Sequence, residues 1–233
     1  MMKEMLTNEL LRGLPDVEFV RLMPALEPVS LSAGERLSSA GEPARFVYFP
    51  EGSIISSHAD MQDGKSAEVA MVGRDGLAGL TGLLSARPAS CAMNVSVGGS
   101  ALRARREELL RELHRSEGFR RALLSYAGDY ITQLSQRAAC NTLHRTEQRF
   151  AVWLLMLTER LGTDAVEITQ ERIAHHLGVR RAGVSVIAGD LQQRGVISYT
   201  RGSLRVVDRR ALESVACECY SAMSTHGRAG VAA

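Results

Sequence analysis

Between Glu171 and Arg210 eight arginines, Arg172, Arg180, Arg181, Arg194, Arg201, Arg205, Arg209 and Arg210, face only Glu171, Asp190 and Asp208. The whole chain has a formal net charge of +2, so this excess is local. A local cationic stripe is an electrostatic footprint for phosphates, because each guanidinium that neutralises one releases a condensed counterion. Arg181 carries a fork that matches guanine O6 and N7, and Arg180 suits either a base or a phosphate. Gln170, Ser185, Thr200 and Arg201 carry donors suited to the nucleic-acid backbone. The amide region at Thr169, at a helix start, is also suited to phosphate.

The elements that must position these groups are legible in the same run. Thr169 is a predicted N-cap, with Glu171 and Arg172 opening the helix. Ile173, Ala174 and Leu177 recur at helical spacing, and Gly178 supplies a sharp turn. A second helix begins near Arg180, with Val184, Ile187 and Leu191 as its apolar stripe and Gly195 as its stop. Val196–Tyr199 and Leu204–Val207 then read as strands joined at Arg201-Gly202-Ser203. Helix, turn, helix and hairpin together predict a winged helix-turn-helix, whose second helix enters the major groove of double-stranded DNA.

Other chemistries find less support. A Gly-x-Ser-x-Gly nucleophile motif is absent, and the candidate β-barrel offers His58 without a partner at metal spacing, so an enzyme is not expected. Cys91, Cys140, Cys217 and Cys219 are too few and too scattered for a disulfide framework. Cys140 and His144 lie four apart on a predicted helix and can face one way, but two ligands do not close a zinc site. Cys217-Glu218-Cys219, with His226 beyond, is a further cluster. On a helix its two thiols would diverge, so the reading adopted is buried thiols and no metal.

The preceding residues supply the rest of the frame. Residues 4 to 27 suggest two short helices punctuated by Pro15 and Pro24. From Val29 to Arg105 short β-type runs alternate with glycine turns: Val29–Leu31, Phe46–Phe49, Ile54–His58, Ala67–Val72, Ala92–Val97 and Ala101–Arg103. Regular short strands of this kind predict a β-sandwich or jelly roll. Glu107–Leu113 is predicted helical, Gly118 is a candidate break, and a longer helix follows from Phe119 to about Leu143. Its residues Leu123, Ala127, Tyr130 and Leu134 alternate four- and three-residue steps, which predicts a coiled-coil dimer seam widened by Leu124, Ile131 and Ala138. A strongly apolar helix through Phe150, Trp153 and Leu157 precedes the helix-turn-helix, and Arg210–Met223 is predicted to be a last helix. No apolar run is long enough to span a membrane, and Met1–Glu9 lacks the core of a signal peptide, so a cytoplasmic protein with no membrane partner is expected.

The C-terminal run resembles the DNA-binding domain of the Crp/Fnr (catabolite activator) family. Ile168-Thr169-Gln170-Glu171, Leu177-Gly178-Val179, Arg181, Val184, Leu191 and Gly195-Val196-Ile197 carry the likeness. Gly41-Glu42-Pro43-Ala44, Val47-Tyr48-Phe49 and Glu51-Gly52-Ser53-Ile54 resemble the family's β-roll, and Gly73–Gly79 falls where that roll turns into its ligand pocket. The resemblance implies an α+β chain: a β-roll sensor over 1–115 (a cyclic-nucleotide-binding-like jelly roll), a dimerisation helix over 116–143, a winged helix-turn-helix over 144–226 and a tail over 227–233. It implies a homodimeric transcription regulator on a palindromic operator, with RNA polymerase as a further partner.

Two departures qualify that expectation. Where relatives read bases with Arg, Glu and a second Arg, this chain has Arg181, Ala182 and Val186, and the latter two can touch thymine methyls. A different operator follows. Where cyclic-nucleotide binders have Gly-Glu and Arg-Ser pairs, this chain has Gly79-Leu80, with Thr81 next, and Pro88-Ala89-Ser90-Cys91. Gly79, Leu80, Thr81 and Ser90 are the candidate pocket residues, yet both charged anchors are missing, which argues against cyclic AMP because a buried phosphate needs a paired cation. No cysteine precedes Cys91, which argues against the family's iron–sulfur cluster, and no cofactor is predicted. Two alternatives remain: an effector-independent DNA-binding protein whose β-roll is a passive scaffold, and a haem- or redox-sensing regulator drawing on His58, His114 or Cys91.

Overall fold

The computed structural model describes residues 3–63, 66–85 and 87–224. Two short helices, α1 (Glu9–Arg12) and α2 (Asp16–Leu22), precede the β-roll. Its strands are β1 (Glu27–Leu31), β2 (Arg36–Ser38), β3 (Phe46–Pro50), β4 (Ile54–Asp60), β5 (Ser66–Val72), β6 (Ala92–Val97) and β7 (Gly99–Arg105), with the short helix α3 (Leu80–Leu84) between β5 and β6. They form two antiparallel sheets, ordered β1-β7-β3 and β2-β6-β4-β5. Leu31, Tyr48, Ile55, Val72, Met93 and Val95 fill the space between them. The six predicted strands are present; β2 is too short and polar to have been seen in the sequence.

Helix α4 (Arg106–Arg115) leads into the long helix α5 (Glu117–Leu143). The break falls at Ser116, whose hydroxyl caps α5 by accepting from the Phe119 amide at 3.0 Å. Gly118 therefore does not end a helix. Its amide donates to Glu18 Oε1 at 3.0 Å, and a Cβ there would collide with the Glu18 carboxylate. Phe119, Leu123 and Tyr126 of α5 join Phe49, Leu77 and Leu109 in a second core beneath the β1-β7-β3 sheet.

The third core belongs to the C-terminal domain. Helix α6 (Thr146–Leu161) is buried along nearly its whole length, with Phe150, Trp153, Leu154 and Leu157 inside. Around it lie α7 (Gln170–Leu177), α8 (Arg181–Gln193), α9 (Arg209–Val215), α10 (Cys219–Ser224) and a small sheet ordered β8-β10-β9, from β8 (Ala165–Glu167), β9 (Ile197–Thr200) and β10 (Ser203–Val206). Ile54 and Met71 of the β-roll belong to this same core, so the two domains share an apolar seam. The predicted last helix is two helices, α9 and α10, parted at Ala216–Glu218. The predicted tail and His226 lie outside the described residues. Among the described residues no helix is long and apolar enough to cross a membrane.

Candidate nucleic-acid interface

Thr169 caps α7, its hydroxyl accepting from the Arg172 amide at 3.3 Å. Gly178 ends that helix at φ +65°, a conformation that favours glycine, and so turns the chain into α8. Val184, Ala188 and Leu191 anchor α8 to the domain core, with Ile187 partly buried beside them. That registry leaves Arg181, Ala182, Ser185 and Val186 on the open face, with Arg180 at the N-cap and its side chain free of any capping bond. Val186 is 74 % exposed, an apolar side chain with nothing to cover it. Ser185 Oγ donates to Gln170 Oε1 at 2.6 Å, which ties the first turn of α7 to α8.

The wing is the β9–β10 hairpin, with Thr200 paired to Ser203. Arg201 and Gly202 form the two-residue turn, at φ +49° and +89°. Positive φ at both central residues is the geometry of the hairpin turns that usually take Asn-Gly. An arginine held there is strained by about 1–3 kcal/mol. Strand β8, pairing on the far side of β10, was not foreseen from sequence.

The eight arginines divide. Arg194 is held by Glu147 and Asp190, each at 3.0 Å, and Arg209 by Glu213 at 3.2 Å. Arg172 is half-buried and turns toward the β-roll, where it lines an open cleft of about 410 Å³ with Gly34 and His58. Arg180, Arg181, Arg201, Arg205 and Arg210 have no ion pair among the described residues, and all five are exposed. The free cations thus gather at the start of α8, on the hairpin and just beyond it.

The other face of α7 meets the β-roll. Glu68 on β5 is fully buried, accepts from Arg137 of α5 at 2.6 Å and stands 2.6 Å from His176 Nδ1. Burial alone would raise its pKa, but the charges of His176 and Arg137 hold the carboxyl well below the usual carboxylate range. His58 on β4 stacks on His175 with ring centroids 5.0 Å apart. Burial pushes His58 down to about 4, against the opposing pull of Glu68. A second tie joins Arg160 of α6 to Asp75 at 2.7 Å and to Gln133 of α5 at 2.5 Å. The Gly73–Gly79 run therefore serves the domain contact as well as the β-roll. Gly73 abuts Arg160 and Gly76 abuts Tyr126, so a side chain at either would clash.

Gly79, Leu80 and Thr81 line a cavity inside the β-roll with Ala89, Cys91 and Tyr130, and Ser90 lies just beside it. Its free volume is about 20 Å³, room for roughly one water. Among the described residues His58, Glu68 and His176 could also hold a metal, but Arg137 already occupies their carboxylate. Cys140, His144, Cys217 and Cys219 also lie together.

The predicted dimer seam needs correcting. Leu123 and Ala127 are buried against this chain's own β-roll, as part of its core. Tyr130 reaches the β-roll cavity, and Leu134 lines the space between α5 and α6. The free face of α5 lies one position later, at Leu124, Gly128, Ile131, Ser135, Ala138 and Thr142, with Leu124 and Ile131 60 % and 63 % exposed. Both stripes keep four-three spacing. The bulkier stripe fills the gap under the sheet, and the smaller one is left outside.

Residues 148–215 match the family model of the Crp-like helix-turn-helix domain. No curated protein sequence matches the chain. Solved structures share the fold. FixK2 from Bradyrhizobium japonicum superposes with a TM-score of 0.71 at 18 % identity, over 82 % of this chain and 98 % of that one. The c-di-GMP-responsive global regulator CLP from Xanthomonas campestris gives 0.66 at 13 %, over 82 % and 99 %. A CRP-family transcriptional regulator from Thermus thermophilus gives 0.64 at 19 %, over 81 % and 96 %.

Proposed function

We propose that this Crp/Fnr-family chain, with its Crp-like helix-turn-helix domain, works as a homodimeric, sequence-specific transcription regulator in the cytoplasm, with RNA polymerase as its further partner. The observation that carries the reading is the set of exposed arginines at the start of α8 and on the wing that have no ion pair among the described residues. Arg181 is the base reader, and Arg180 and Arg201 hold phosphates. Gln170, Ser185, Thr200 and the Thr169 amide position the backbone. Ala182 and the uncovered Val186 meet thymine methyls, so the operator departs from one read by Arg-Glu-Arg.

Dimerisation through Leu124, Gly128, Ile131 and Ser135 would present two α8 helices to half-sites about one turn of DNA apart. The small residues in this stripe let two helices approach closely.

Selection from a random duplex pool tests this reading. The expected product is a palindrome with A·T pairs at the positions under Ala182 and Val186. An unsymmetrical product, or no enrichment, overturns it.

A second reading has an observation in its favour. The β-roll cavity is small and, among the described residues, lined by no cation, which suits a scaffold whose DNA affinity needs no effector. An effector that opens the roll would press on Tyr130, which lines both that cavity and the space between the domains.

A further inference from the structure

Four potential ligands from two distant stretches of sequence converge where α5 ends. Cys140 is in its last turn, and His144 is its C-cap residue. Cys217 lies in the irregular stretch after α9, and Cys219 opens α10. Cys140 Sγ is 3.6 Å from Cys217 Sγ, and Cys219 Sγ is 3.5 Å from His144 Nδ1. All four ligand atoms lie within 4.8 Å of one another. Around one zinc ion, with Zn–S near 2.3 Å and Zn–N near 2.0–2.1 Å, tetrahedral geometry sets the S–S edge at about 3.8 Å and the S–N edge at about 3.5 Å. The two observed separations are close to those edges.

The surroundings agree. His144 turns Nδ1 inward, and its other ring nitrogen, Nε2, stands 3.3 Å from Glu218 Oε1. A metal-bound histidine usually hands its remaining N–H to a carboxylate in this way, which fixes the ring and its tautomer. Gln136 Nε2 donates to Cys219 Sγ at 3.1 Å, a bond that favours a thiolate. All three sulfurs are buried. The thiols of Cys217 and Cys219 would diverge on one helix, but Cys217 precedes α10 and the two converge.

We propose that Cys140, His144, Cys217 and Cys219 form a closed, four-coordinate site for a single zinc-class divalent ion. Four protein ligands leave no open position, so its role is structural. A cluster is a poorer fit, because its ligands sit on different irons and stand further apart. The ion would bind the C-terminal end of the DNA-binding domain, between α9 and α10, to the end of α5, across the His144–Arg145 junction where α5 gives way to α6. It would thereby fix the direction in which α5 delivers the recognition helix. Binding couples to folding, since thiolates and a neutral imidazole must be assembled together.

The test uses the full chain, purified under reducing conditions, stripped with a chelator and titrated with cobalt and then zinc. The expected result is one cobalt per chain with tetrahedral ligand-field absorption and thiolate charge transfer, displaced by one equivalent of zinc. Zinc should shield three of the four thiols from an aromatic disulfide reagent, leaving Cys91 reactive. Cys91→Ser should keep the spectrum, and Cys217→Ser should weaken cobalt binding at least tenfold. Octahedral cobalt, iron–sulfur absorption, or four thiols equally reactive with zinc present would each overturn the proposal. The thiol measurement needs only the native chain, so misfolding of a cysteine variant does not blunt it.

Discussion

Two groups of charged side chains flank the helix-turn-helix, and they are built differently. Those on α8 and the wing, Arg180, Arg181 and Arg201, are exposed and have no ion pair among the described residues. Those between α7 and the β-roll, Glu68, Arg137 and His176, are buried or nearly so and mutually paired. The first arrangement costs the fold little, because water solvates each charge, and it leaves every donor available to a ligand. The second carries a large desolvation cost that only mutual pairing offsets. The open face of α8 and the wing is therefore replaceable without loss of fold, and the domain contact is not.

The largest effect should come from breaking the buried group. Glu68→Leu leaves Arg137 and His176 without their carboxylate and should cost about 3–5 kcal/mol of stability, read by urea unfolding. Next comes acidification. The folded pKa of His58 lies below its unfolded value, so the unfolded chain takes up the proton first. His58 adds stability that is complete above about pH 6.5 and lost as pH falls toward about 4. The loss is at most roughly 3 kcal/mol. Glu68, also depressed, adds to the loss as pH falls through the ordinary carboxylate range and below it. Thermal melts of wild type and His58→Asn across this window should differ in slope, and identical slopes would place the proton elsewhere.

On the open face the same logic runs in reverse. Arg181→Ala should change stability by less than about 0.5 kcal/mol while weakening operator binding by about 1–3 kcal/mol, with preference relaxed at one base pair per half-site. Arg201→Gly should make the smallest change of all. It relieves the left-handed turn and stabilises the fold by about 1 kcal/mol, yet weakens DNA binding for every sequence alike and lowers the salt slope by about 1. Anisotropy titrations over a salt series separate these two patterns.

Much of this could be read from the residues alone. Thr169, Gly178 and Gly195 punctuate the helix-turn-helix by local rules, and local rules survive folding. The β-roll strands were legible for the same reason. The face of α5 was legible only in part, since Leu124, Ile131 and Ala138 read as the edge of the seam and not as its centre. Leu123 and Leu124 begin two stripes of equal period, and only the β-roll decides which is covered. The charge division was not legible, since Arg194 looks like Arg181 until Glu147, from another helix, arrives beside it. The four metal-type ligands were seen as two separate pairs, and nothing local joins Cys140 to Cys217 across the whole DNA-binding domain.

Base reading is assigned to the start of α8. The most direct measurement is to select operators from one random pool with wild type and with Arg181→Ala in parallel. Two palindromes should emerge that agree everywhere except at one symmetric pair of positions, where the variant loses its preference. Identical palindromes from the two proteins would contradict that assignment.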